Sequence, residues 1–245
     1  MRSLKVQVLP HPPVLRGIEQ VVDVLKQNKH KVVPWTPYKH DFAHDLANKI
    51  YGADGSTVRC PQLISRSSVW LIVQQDVMRD IKASGEPPIP NIKELLNPDI
   101  QKADLNDVWD IHLQKWDYQM QYLSKWRVVE AELGCELDCI VGPISPTAAI
   151  RHNQFKYYGY ASAINLLDFT SVVVPVTFAD SKVDGKRADY KPLSDLDASV
   201  QAEYDADAYH GAPVAVQVIG KKLSEEKTLA IAEELGRLLG NEVTP

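Results

Sequence analysis

His40 and His44 stand four residues apart in the run His40-Asp41-Phe42-Ala43-His44. On a helix that spacing puts both imidazoles on one face, as in HExxH zinc sites, where the intervening Glu is the general base. Here Asp41 takes the Glu place, one methylene shorter. Asp45 is adjacent, but no third ligand stands at a recognised spacing, so surface or capping histidines are expected and no metal is assigned. Ser65, Ser67 and Ser68 cluster without a GxSxG frame and without a Lys or His organised by spacing, and read as loop serines. The chain carries no GxGxxG and no GxxxxGK, hence no glycine-rich phosphate cradle, and no cofactor is assigned. Glu225 and Glu226 follow Ser224, where carboxylates suit the positive end of a helix dipole better than an acid/base pair.

The more suggestive run is Pro143-Ile144-Ser145-Pro146-Thr147. It follows the carboxyl end of an apolar run, Leu137–Val141, stopped by Gly142-Pro143, and ligand contacts in α/β sheets gather at such ends. Hydroxyls and free backbone N–H groups there would line a pocket. The alternative is a rigid proline turn that only leads the chain out of the sheet. Pro143, Ile144, Ser145, Pro146 and Thr147 are therefore the candidate substrate-pocket residues.

Something must position that turn. Val14, Ile18, Val21, Val22 and Leu25 recur at helical spacing, which predicts a helix over about Pro13–Gln27 with proline at its start. Lys5–Leu9 and Lys31–Trp35 read as short strands. His40–Tyr51 predicts a second helix, ended by Gly52 and the Asp54-Gly55 pair. Asp104 to about Leu133 predicts the longest helix, with Trp109, Leu113, Trp116, Met120 and Leu123 as its buried stripe and Trp126 and Val129 as a second contact near its end. Ser171–Phe178 and Pro213–Ile219 are valine-rich runs that read as strands buried on both faces, Pro175 placing the first at an edge or a bulge. Ser224 is expected to cap a last helix that ends before Gly240. Between the two valine-rich strands, Ala179–Asp207 carries eight acidic and four basic residues and reads as a long surface excursion. Helices interleaved with short apolar strands make the class α/β, around a partly parallel or mixed sheet.

Composition limits the function classes. Of the 245 residues 44% are hydrophobic and 24% charged, enough apolar material for a sizeable core. The net charge of −5 and the scattered lysines speak against a nucleic-acid partner. Cys60, Cys135 and Cys139 form no framework and no CxxC pair, which suits a reduced, intracellular and cytoplasmic chain. Met1–Leu9 has no apolar h-region of a signal peptide, and no apolar run is long enough to span a bilayer.

Several blocks together resemble the C-terminal region of fungal acetamidase-like enzymes of the amidase-signature family. They are His11-Pro12-Pro13-Val14 with Val32-Val33-Pro34-Trp35, Tyr51–Gly55 with Gly85-Glu86-Pro87, Leu137–Thr147 (LDCIVGPISPT), Tyr157–Val176 (YYGYASAINLLDFTSVVVPV) and Gly211–Gly220 (GAPVAVQVIG) before the final helix. They follow one another in the family's order over nearly the whole chain. The resemblance implies a single α/β/α domain around a large mixed sheet, of which residues 1–245 are the C-terminal half. It also implies hydrolysis of a carboxamide to a carboxylate and ammonia or amine. The family's mechanism is a Lys–Ser–Ser triad: a lysine acts through a bridging serine on a cis peptide to deprotonate a nucleophilic serine, and backbone N–H groups of a glycine/serine-rich loop bind the oxyanion.

None of those catalytic positions carries over, because the family places them before the block that begins here at His11, and no Gly-Gly-Ser-Ser-type stretch is present. Val58–Gln75 (VRCPQLISRSSVWLIVQQ) is a second departure. Removing it restores the family spacing, and Val-Arg at its start and Gln at its end are compatible with intron borders. Translation through an unspliced intron is the preferred reading, a surface insertion the alternative. The expectation is an amidase-like chain inactive on its own. Two others stand beside it: the C-terminal half of a two-chain amidase, and a non-catalytic binding protein that keeps part of the amide pocket. The expected partners are a small-molecule amide, a complementing N-terminal half, or a second copy through self-association.

Overall fold

The computed structural model describes residues 7–53, 74–90 and 102–240. The chain divides into two compact units, Met1–His44 with Gln119–Pro245, and Asp45–Tyr118. Its helices are α1 (Pro12–Gln27), α2 (His40–Tyr51), α3 (Gln74–Ser84), α4 (Leu105–Leu133), α5 (Gly159–Leu167), α6 (Asp195–Glu203), α7 (Ala206–Tyr209) and α8 (Glu225–Leu238), and its strands β1 (Ile140–Pro143), β2 (Ser171–Phe178) and β3 (Pro213–Ile219).

In the first unit the strands form one sheet in the order β1-β3-β2, with both outer strands antiparallel to β3. Val141, Val218 and Val172 lie side by side, as do Pro143, Val216 and Val174. With the two-residue period of a strand these share one face. That face meets α1 and α8, where Val21, Val174, Val216, Val218, Ala232 and Leu235 close into a core with Ile18 and Leu25 packed against it. Val214, Val216 and Val218 are fully buried, each worth roughly 1.5–3 kcal/mol of burial. The α1 backbone comes close to the sheet at Gly17, where an added Cβ would lie 2.9 Å from Val214 Cγ1.

The valine-rich runs form the expected strands, but β2 is not buried on both faces. Val174 is buried while Ser171, Val173, Pro175 and Phe178 are exposed, because β2 is an outer strand whose far face α1 and α8 do not cover. Pro175 adjoins a register shift between Pro175 and Thr177, where a missing N–H interrupts no ladder bond. Lys31–Trp35 is irregular, and so is the described part of Lys5–Leu9. Trp35 instead donates from Nε1 to the Tyr122 hydroxyl at 3.2 Å, within an aromatic cluster of Trp35, Tyr122, Trp126 and Phe169.

The excursion after β2 is held by buried carboxylates. Arg16 grips Asp184 with two bonds of 2.7 Å. Asp197, fully buried, accepts from the backbone N–H of Leu9 (3.0 Å) and Leu193 (2.7 Å) and from the Tyr190 hydroxyl. Ser194 caps α6 by accepting from Asp197 N at 3.0 Å. Ser224 does not cap α8 through its side chain; its hydroxyl donates back to the Lys221 carbonyl.

In the second unit Asp104 caps α4, accepting from the N–H of Asn106 (2.7 Å) and Asp107 (2.9 Å). Most of the stripe expected to be buried is exposed: Trp109, Leu113 and Trp116 are 58%, 63% and 59% exposed, Met120 is open, and Leu123 is half-buried; Leu105 lies open as well. The buried side chains of α4 are Tyr118 in the second unit and Tyr122 and Trp126 in the first, at i, i+4 and i+8. The helix has two apolar faces, and periodicity does not tell which one is covered. Among the described residues no helix is long and apolar enough to cross a membrane. Val58–Val73 and Ser65, Ser67 and Ser68 lie outside the described residues; Gln74 and Gln75 open α3.

Candidate functional site

The turn after β1 is pinned from three sides. Gln217 on β3 donates from Nε2 to the Pro143 carbonyl at 2.8 Å, and its Oε1 accepts from the Ser171 hydroxyl at 3.1 Å, so one buried amide ties all three strands together. His11, the residue before α1, donates its backbone N–H to the Pro146 carbonyl at 2.7 Å. Within the turn the Ser145 hydroxyl lies 3.1 Å from Thr147 Oγ1 and accepts from Thr147 N at 3.3 Å. Of the backbone N–H groups in the turn, that of Thr147 is thus already engaged by Ser145.

Ser145, Pro146 and Thr147 line a shallow open recess with Gln154, Tyr157 and Glu203 among its other walls. Pro143 and Ile144, named with them from the sequence, are not among its lining residues; Pro143 closes β1 instead. Neither partner of the Ser145 hydroxyl is a base. Lys156, also on the wall, spends its ammonium on the Ser199 carbonyl at 3.2 Å. What the recess offers a small polar group is hydroxyls and an amide, without an activated nucleophile.

Glu203, which lines the recess, and His11, bonded to the carbonyls of its wall residues Pro146 and Val200, are residues that sequence reasoning missed. Glu203 is buried, accepting from Arg151 Nε at 3.0 Å and from the Tyr209 hydroxyl at 2.9 and 2.8 Å. His11 is fully buried, its Nε2 2.9 Å from the Val200 carbonyl, so that nitrogen carries the proton. Its ring packs on Tyr204 and Tyr209, and Nδ1 has no hydrogen-bond partner among the described residues. Burial holds its pKa below the ordinary histidine value, only partly offset by the Val200 carbonyl and the Glu203 charge. Burial likewise pushes the Tyr157 phenol up to about 12. A serine three residues before Asp197 was a readable cap signal; nothing in the sequence marked Glu203 or His11 as buried.

The two histidines of α2 go separate ways. His40 stacks on Tyr122, with Nε2 3.3 Å from its hydroxyl, and burial lowers its pKa to about 4. His44 places Nδ1 2.9 Å from the Ser162 hydroxyl. Both imidazoles are committed to aromatic and hydroxyl neighbours on different elements.

The amidase family model matches residues 2–229. An acetamidase of Emericella nidulans is 64% identical over 238 residues, covering 97% of this chain and 40% of the relative. An acetamidase of Aspergillus oryzae is 60% identical over 234 residues, covering 96% and 40%. Each of these relatives is therefore spanned over two fifths of its length. Among solved structures, a fatty acid amide hydrolase superposes with a TM-score of 0.79 at 22% identity, over 98% of this chain and 39% of that one, which shows a shared fold. On the family match across most of its length and on that fold, this chain belongs to the amidase family.

Proposed function

We propose that this chain is the C-terminal part of an acetamidase-like amide hydrolase, a single incomplete domain that turns a small carboxamide into a carboxylate and ammonia or amine only when other polypeptide supplies the Lys–Ser–Ser group. The observation that carries the reading is the 64% identity to an acetamidase over 97% of the chain. Acyl transfer needs a nucleophile, a base aimed at it and fixed donors for the oxyanion. In the recess the Ser145 hydroxyl is engaged with Thr147 and faces no base. In this reading Ser145, Pro146 and Thr147, the part of the Pro143–Thr147 turn that lines the recess, form a wall of the amide pocket. The role of Ser145 and Thr147 there is to shape and position, since a displaced wall alone costs rate through lost orientation. Val58–Gln75 is an insertion that takes no part, and the setting is cytoplasmic.

The test is reconstitution. The chain, co-expressed with the part of the Emericella nidulans acetamidase that it does not span, should release ammonia from acetamide. Ser145→Ala and Thr147→Val should raise KM severalfold with a smaller change in kcat. An assembled pair that binds acetamide without turnover would favour the non-catalytic binding reading instead.

A further inference from the structure

α4 carries two apolar faces about 140° apart at 100° per residue. One holds the buried Tyr118, Tyr122 and Trp126. The other holds, within the second unit, Leu105, Trp109, Leu113 and Trp116, at i, i+4, i+8 and i+11, each between 58% and 63% exposed. Two open indoles and two open leucines in line form a larger apolar patch than the scattered exposed residues of an ordinary surface. Large aromatic side chains are the residue type that anchors interfaces.

Two occupants compete. A second copy would bring Asp110 and Asp117, which flank the stripe, against their own counterparts, in a chain whose net charge is already −5. Like charges at the rim of an apolar contact oppose it. The other occupant is amidase polypeptide from outside this chain. The acetamidase relatives are covered over 40% of their length, which leaves 60% of an amidase chain to lie against the faces of this one. We infer that the Leu105–Trp116 stripe of α4 is the docking surface for that remaining amidase polypeptide, with basic side chains of the partner facing Asp110 and Asp117. The inference rests on the reading of this chain as part of a larger amide hydrolase.

The experiment co-expresses the tagged chain with the untagged remainder of the Emericella nidulans acetamidase and weighs what co-purifies by size exclusion with light scattering. A one-to-one complex is expected, and hydrogen exchange at Leu105–Trp116 should slow on its formation. Trp109→Glu and Trp116→Glu should each weaken the complex at least tenfold while leaving the melt of the chain alone unchanged; Trp109→Phe should retain it. Absence of a complex overturns the proposal, as does a complex indifferent to both Glu substitutions. A homodimer of the chain that Trp116→Glu dissolves also overturns it, because the stripe then meets a second copy. A complex that forms through the stripe but turns over no amide leaves the docking surface standing and sinks the hydrolase reading.

Discussion

α1 and α4 are both apolar at helical spacing, and the structure treats them oppositely. The single apolar face of α1, with Val14 and Val21 at its centre, is buried on β3 and β2. α4 buries Tyr118, Tyr122 and Trp126 and leaves Trp109, Leu113 and Trp116 open. A stripe in the sequence states that a face is apolar; what lies against it is set by the rest of the fold. The contrast separates a covered apolar face from an open one, and substitutions on the two helices should sort accordingly.

The largest effect is expected at the α1–sheet contact. Val21→Asp or Val216→Asp places an unpaired carboxylate in the core beside Val174 and Leu235, which exceeds the stability margin of a domain, about 5–15 kcal/mol, or consumes most of it. Loss of the cooperative thermal melt checks this, and a native-like melt would mean that the core is not where these valines meet. Next is Trp126→Ala, at about 3–5 kcal/mol for removing a buried aromatic side chain, read from a urea titration. Trp109→Ala, the same residue type on the other face of α4, should shift stability by less than about 0.5 kcal/mol. Equal costs at Trp109 and Trp126 would abolish the comparison.

Acid should act on the buried histidines. The folded-state pKa of His40 is lowered from 6.5 to about 4 and that of His11 is lowered as well, burial being the chief cause in both. A depressed histidine is taken up by protons first in the unfolded chain. Stability is therefore full above pH ~6.5 and falls as pH drops towards ~4, by on the order of 3 kcal/mol for His40. His40→Gln should flatten the fall between those limits in denaturant titrations; an unchanged slope would remove His40 from the account. Gly17→Ala comes next, helix propensity favouring Ala by ~1 kcal/mol while the 2.9 Å approach to Val214 Cγ1 forces a shift that costs ~1–3 kcal/mol. A lower melting temperature is expected, whereas a higher one would show that the contact has slack. The smallest effect is expected for deleting Val58–Gln75, which should leave soluble yield and melting temperature unchanged.

The same contrast explains what was legible. Valine-rich runs with turn residues at their ends placed Ser171–Phe178 and Pro213–Ile219 to the residue, and helical spacing with proline at the start placed α1 to within one residue. Those signals are local, and local physics decides them. Lys31–Trp35 has strand-like composition but pairs with no strand among the described residues, and its tryptophan joins the aromatic cluster instead. The candidate site was half legible. The turn was found from its place after a strand, but Glu203, His11 and Asp197 are polar residues whose burial depends on partners more than 100 residues away, or on hydroxyls and guanidinium groups arriving from other loops. Sequence spacing carries no record of such meetings.

Ammonia release from acetamide by the purified chain alone tests the central claim most directly. The account predicts no turnover above buffer, because Ser145 faces Thr147 rather than a base. Turnover by the chain alone that disappears in Ser145→Ala would contradict it and make that serine a nucleophile.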